Sequence, residues 1–182
     1  MNMLKISSNR NLFLIVILCC MAINVKSHAK YKGLELGGDI VLKGLNIGAA
    51  LYTLSKSDKE GLKQFLYTSV ITAASVEALK HIVKERRPSP YCSLGSFPSG
   101  HVASSFAPAV YMWKRYGSKY GIPMTLAAGF VGYTRVEARK HHVHDVLAGA
   151  ILGAAVSYFV TTKYDNVDMQ LSSNGVSLNF TF

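Results

Sequence analysis

Three clusters of polar side chains have the chemistry to act together on one anion. Lys80 and Arg87 are seven residues apart, two turns of a helix, and so would share a face. A guanidinium forks onto two anion oxygens, and an ammonium adds a point charge. Basic helix ends also serve solubility and the helix dipole, so this pair alone specifies little. The second cluster is Ser96-Phe97-Pro98-Ser99-Gly100-His101, where a loop gives way to a helix. Backbone amides at a helix start point toward an anion. Gly100 lets that backbone come close, Ser99 adds a hydroxyl, and His101 is a titratable donor. The plain alternative for Ser99 is an ordinary N-cap.

The third cluster runs from Thr134-Arg135 to His141-His142-Val143-His144-Asp145. His141 and Asp145 are four apart, hence neighbours in a helical segment. A carboxylate on one imidazole nitrogen fixes the tautomer and makes the other nitrogen more nucleophilic. Arg135 supplies a further guanidinium. A rival reading takes His141, His142 and His144 as metal ligands, but no cysteine or paired carboxylate completes a recognised site.

In order and spacing these residues resemble three signature motifs of the type-2 phosphatidic acid phosphatase and vanadate haloperoxidase superfamily. They are Lys80, six residues, Arg87-Pro88; Pro98-Ser99-Gly100-His101; and Arg135, five residues, His141, three residues, Asp145. The match covers about residues 60–160. One departure is Thr134, where the family usually has Ser; a hydroxyl is retained.

The resemblance implies a compact all-α helical bundle and a phosphatase that hydrolyses phosphate monoesters, lipid phosphates foremost. It implies that Lys80, Arg87, Ser99, Gly100 and Arg135 bind the phosphate and stabilise charge on its equatorial oxygens during transfer. His141 would attack phosphorus and form a phosphohistidine, with Asp145 holding its ring. His101 would protonate the departing alcohol and then activate water. No metal and no cofactor is implied, because the guanidinium groups do the neutralising. The nearest alternative is a soluble periplasmic acid phosphatase of broad specificity. Halide oxidation at the same site belongs to considerably larger chains. A non-catalytic protein that binds anionic lipid would keep the arginines but have no use for His141 and His101.

These residues need helices to position them. Ser57-Asp58-Lys59-Glu60 reads as a capping box before an apolar-periodic run. Leu62, Leu66, Val70, Ala73, Val76, Leu79 and Val83 follow at three- or four-residue steps, predicting the core face of a helix that Pro88 stops. Further helices are expected at 40–54, 99–116, 122–136 and 144–161. The last carries Ala148, Gly149, Gly153, Ala154 and Ala155, a small-residue face for close approach of another helix. Its apolar length only reaches the lower edge of a membrane span, which favours a compact bundle of core helices over a multispan protein. Alternation of Val167, Met169, Leu171 and of Val176, Leu178, Phe180 around Asn174-Gly175 predicts a C-terminal β-hairpin.

The chain of 182 residues is 49% hydrophobic, which fits one folded domain and excludes disorder. Lys5 and Arg10 precede an apolar stretch from Leu12 to Val25, and Ser27-His28-Ala29 ends it with small residues, the pattern of a secretory signal peptide. The expected division is a leader at 1–29, a helical phosphatase domain at 30–162 and a hairpin tail at 163–182, exported to the periplasm. Net charge is +10; removing Lys5, Arg10 and Lys26 leaves 17 basic residues against 10 acids, or +7. The basic stretches lack the aromatic interleaving of a nucleic-acid binder, which excludes that partner and leaves a phosphorylated substrate and an anionic membrane surface. Cys19 and Cys20 fall in the leader, so Cys92 has no intramolecular partner in the body.

Overall fold

The computed structural model describes residues 27–88, 93–164, 166–172 and 175–181, with side chains for 32–88 and 93–164. Most of the leader and Cys92 lie outside the described residues. Five helices make the body: α1 Ser27–Ser55, α2 Lys59–Val83, α3 Gly100–Tyr116, α4 Ser118–Glu137 and α5 Val143–Val160. The all-α expectation holds. The terminal β-hairpin is not supported as part of this fold. No strand occurs in the described helical body, and the ladder between β1 Asn166–Ser172 and β2 Gly175–Thr181 lies beyond it.

Helix α3 is the hub. Val102, Ala103, Ala107, Ala109, Tyr111 and Met112 are all buried along it, and its most extensive packing is against α4 and α5. Helix α1 turns Val41, Leu45, Ala49 and Thr53 inward at one-turn spacing, and Thr53 meets the Tyr111 hydroxyl at 2.9 Å. Pro108 lies inside α3 and cannot donate to the carbonyl of Ser104. The Asn46 side chain donates to that carbonyl instead, at 3.0 Å. Small residues bring α5 against α3 as expected. A Cβ on Gly149 would stand 2.5 Å from the Ser99 carbonyl oxygen, and one on Gly153 would stand 2.2 Å from that of Ala103.

Helix α2 departs from the reading of its apolar stripe as a core face. Leu66, Val70 and Val83 are 53%, 65% and 45% exposed, and Gly61, Gln64, Phe65, Thr68, Thr72 and Val76 face inward instead. The outward face is therefore more apolar than the inward one. Its cap also shifts by one residue, with Asp58 Oδ1 accepting from the Gly61 amide at 2.8 Å. The helix ends at Lys84, in the left-handed region at φ 49°, and not at Pro88. Exposed apolar side chains continue over Ile40, Ile47 and Leu51 of α1, Ile122 and Leu126 of α4, and Leu147, Ile151 and Phe159 of α5. Among the described residues, α5 is the one helix long and apolar enough to cross a membrane, with mean hydropathy 1.6.

At the end of the bundle where α1 meets α2, Arg115 grips Asp58 with two hydrogen bonds of 2.6 Å, both side chains buried. Tyr116 donates to the same carboxylate at 2.7 Å, and Arg115 also donates to the Thr162 carbonyl at 3.0 Å. Every charge and most donors in this network are matched, so it serves as a polar clasp. Four buried polar groups without a hydrogen-bond partner, on Asp39, Arg87, Ser99 and Asp145, lie at the other end.

Candidate active site

The site forms where the N-terminal part of α1, the end of α2, the start of α3, the end of α4 and the start of α5 converge. Lys80 comes from the last turn of α2, and a Cβ on Gly100 would lie 3.6 Å from its ammonium nitrogen. Arg87 does not share a helical face with Lys80, because α2 has already ended. It enters from the connecting segment, where its amide donates to the Ser93 carbonyl at 2.9 Å. Its Nε is buried with no hydrogen-bond partner.

Ser99 is fully buried at the N-cap position of α3, yet its side chain makes no capping bond and its Oγ has no partner. The ordinary N-cap alternative therefore does not describe it. An orphaned buried hydroxyl costs roughly 1–3 kcal/mol, and an anion oxygen at the helix start would satisfy it. The amides of Gly100 and His101 belong to the first turn, whose donors have no intrahelical acceptors.

Arg135 is 2% exposed. Its Nε donates to Thr134 Oγ1 at 3.2 Å and one Nη donates to the Glu35 carbonyl at 2.7 Å. The Thr134 hydroxyl thus performs the holding role available to a Ser. Its other Nη stands 3.1 Å from Asp39 Oδ1, and that same oxygen is 3.4 Å from His101 Nε2. Asp39 is a member of the site that sequence reasoning missed. Gly38 makes the contact possible, since a Cβ there would fall 2.2 Å from Thr134 Oγ1.

His141 is 3% exposed and precedes α5 instead of lying on it. Its Nδ1 donates to the Ser96 carbonyl at 2.8 Å, leaving Nε2 as the basic nitrogen. Asp145 Oδ2 is 3.7 Å from that Nδ1, beyond hydrogen-bond reach. The two are close neighbours as expected, but the hydrogen bond from Nδ1 goes to Ser96 and not to the carboxylate. Asp145, fully buried, instead accepts from Ser96 Oγ at 2.5 Å and from the His142 amide at 2.8 Å. Its backbone carbonyl takes the Ser99 amide at 3.0 Å. Burial, reinforced by the positive charge of Arg87, pushes the His141 pKa down to about 4, against the opposing pull of Asp145 and Ser96.

All eight residues singled out by spacing meet at this end of the bundle. The arrangement offers three cations, an orphaned hydroxyl and helix-start amides to an anion, with one neutral imidazole and one exposed histidine beside it. An open cleft of about 250 Å³ borders Gly100 and His101 and runs between α1, α2 and α3 past Leu42, Ala73 and Val76.

Known proteins are similar to this chain over much of its length. The model of the PAP2 superfamily matches residues 61–168. A lipid A 4′-phosphatase from Helicobacter pylori is 28% identical over 141 residues, spanning 72% of this chain and 71% of that protein. A lipid A 1-phosphatase from Porphyromonas gingivalis is 39% identical over 64 residues, which is 34% of this chain and 14% of that protein. The crystal structure of LpxE from Aquifex aeolicus superposes with a TM-score of 0.60 at 23% identity, covering 88% of this chain and 98% of LpxE. That last likeness establishes a shared fold.

Proposed function

The chain belongs to the PAP2 superfamily, and on that premise we propose that it is a lipid phosphatase working through a phosphohistidine. Phosphate sits on Lys80, Arg87, Arg135, the Ser99 hydroxyl and the Gly100 amide. Neutral His141 attacks phosphorus through Nε2, and the bond from phosphorus to the alcohol oxygen breaks as His101 gives that oxygen a proton. Water then attacks the phosphohistidine, His101 takes its proton, and phosphate leaves with His141 restored. Three cations neutralise the transferring group, so this sequence of steps needs no metal.

The observation that carries the reading is the pair of buried, unpartnered donors, Arg87 Nε and Ser99 Oγ, beside His141. A lipid leaving group is supported by the cleft next to His101. The alcohol must lie where its oxygen can be protonated, and the cleft there has walls of Leu42, Ala73 and Val76. The apolar exterior of α1, α2, α4 and α5 supports a bundle embedded in a bilayer over a soluble acid phosphatase. Two of the relatives named above are lipid A phosphatases, which supports testing glycolipid phosphates first. In the same reading the N-terminal apolar stretch is a secretory leader, and the site works outside the cytoplasm.

The deciding experiment is phosphate release by purified protein in detergent from a lipid-phosphate panel beside p-nitrophenyl phosphate. Higher kcat/KM on the lipids is expected. A strong preference for the soluble ester would overturn the substrate assignment.

A further inference from the structure

Next to the site, and with no part in the steps above except through Asp145, four metal-binding side chains face one another. Glu85 comes from the segment after α2, His142 and His144 from the start of α5, and Asp145 from its first turn. Their ligand atoms all lie within 4.8 Å of one another. We propose that Glu85, His142, His144 and Asp145 form a binding site for one divalent transition-metal ion of the zinc type.

With Asp145 taking part through either oxygen, three of the separations match those between ligand atoms on one tetrahedral ion. Arms of about 2.0–2.1 Å to imidazole nitrogen and carboxylate oxygen put ligand atoms about 3.3–3.4 Å apart. His142 Nδ1 is 3.4 Å from Glu85 Oε1, His142 Nδ1 is 3.3 Å from Asp145 Oδ2, and His144 Nε2 is 3.3 Å from Asp145 Oδ1. Only His144 to Glu85 is closer, at 2.7 Å, the separation of a hydrogen bond that the metal would replace. The two imidazole rings lie nearly parallel, 7° apart.

A second observation points to a ligand independently of the clustering. Asp145 is fully buried, and its Oδ1 accepts no hydrogen bond, although Oδ2 accepts from Ser96 and His142. A buried carboxylate oxygen without a donor is costly, and a cation supplies what is missing. His144 is 59% exposed, so the site is open to exchange from solvent. Two imidazoles with two carboxylates suit zinc, cobalt or nickel better than magnesium, which prefers oxygen ligands in an octahedron. Sequence spacing could not complete this site, because Glu85 lies 57 residues before His142.

Asp145 is shared with the Ser96 and His141 chain, so an ion here would tie the α2–α3 connection to the start of α5. The test is calorimetric titration of ZnCl2 into untagged, chelator-stripped full-length protein in detergent. One equivalent should bind with micromolar or tighter Kd. Glu85→Gln and His144→Ala should each weaken binding at least 10-fold, whereas His81→Ala, an exposed histidine on α2, should leave it unchanged. Wild-type protein loaded with Co2+ should give the intense visible absorption of four-coordinate cobalt, a readout that needs no variant to fold. Absence of binding at millimolar Zn2+, or binding that survives both substitutions in folded protein, would overturn the proposal.

Discussion

The imidazole of His141 hangs from the backbone carbonyl of Ser96 by a 2.8 Å hydrogen bond. A backbone acceptor has no charge to lose and no rotamer to change, so it holds the tautomer with Nε2 unprotonated. The Asp145 carboxylate acts one residue further out, taking the Ser96 hydroxyl at 2.5 Å. Ser96 thus joins the two with both of its polar groups, one from the main chain and one from the side chain.

In the proposed mechanism, removal of the nucleophile and removal of its support should therefore differ in size. His141→Ala should bring phosphate release to background with the melting temperature retained. Asp145→Asn and Ser96→Ala should lower kcat by about 10–100-fold, the range for partners that orient a metal-bound histidine from one shell out, because Asp145 acts here through Ser96 and makes no direct hydrogen bond to the imidazole. Steady-state assays on folded protein check this. A loss in Asp145→Asn as complete as that of His141→Ala would mean the carboxylate acts on the imidazole directly.

The depressed pKa of His141, about 4, has two consequences for pH dependence. The acid limb of kcat/KM should fall near pH 4 and not near the ordinary 6.5, measured in chelated buffer. Stability should also decline as pH drops from about 6.5 toward 4, because the unfolded chain takes up a proton there that the folded chain refuses. A scan of melting temperature against pH reads the second effect; His141→Phe should flatten it.

Asp39 occupies Arg135 and His101 at once, which makes it a positioning residue. In Asp39→Asn, Arg135 is released from its counter-charge and His101 loses the neighbour that favours its protonated form. KM should fall a few-fold while kcat falls about 10-fold, most for esters with poor leaving groups. A merely structural role would move both parameters in the same unfavourable direction for every ester.

The Arg115–Asp58 clasp lies at the opposite end from the candidate active site. Asp58→Asn leaves a buried guanidinium without its carboxylate, at a cost of about 3–5 kcal/mol. The melting temperature in detergent should drop by several degrees or more, while kcat measured well below it should stay within about two-fold of wild type. A kcat collapse without loss of stability would contradict this separation of roles.

The polar site was legible because the order and spacing of Lys80, Arg87, Ser99, Gly100, His101, Arg135, His141 and Asp145 resemble the motifs of a known family. Asp39 escaped, being a lone carboxylate with no partner at a recognisable interval; Arg135 lies 96 residues away. Arg87 was found for an incomplete reason, since its place comes from the turn after Lys84 and not from a shared helical face. The inward face of α2 was misread because periodicity reports that a helix has two unlike faces, not which one meets the protein. The usual choice assumes water outside. With Leu66 and Val70 outward and Thr68 and Thr72 inward, the more apolar face of α2 is the outer one.

The two polar ends of the bundle are held apart by α3, with Ser99 preceding it and Arg115 in its last turn. Seventeen residues rise about 26 Å, close to the roughly 30 Å hydrocarbon thickness of a bilayer. In a membrane, the helix becomes a depth gauge. If the bundle is embedded as proposed, with the Asp58 clasp at one headgroup layer, His141 would stand near the other, level with the phosphates of the surrounding lipids. The reacting group would then not have to leave its own plane to be hydrolysed. Selection would begin with the depth at which a lipid carries its phosphate, before any contact with its head group is made.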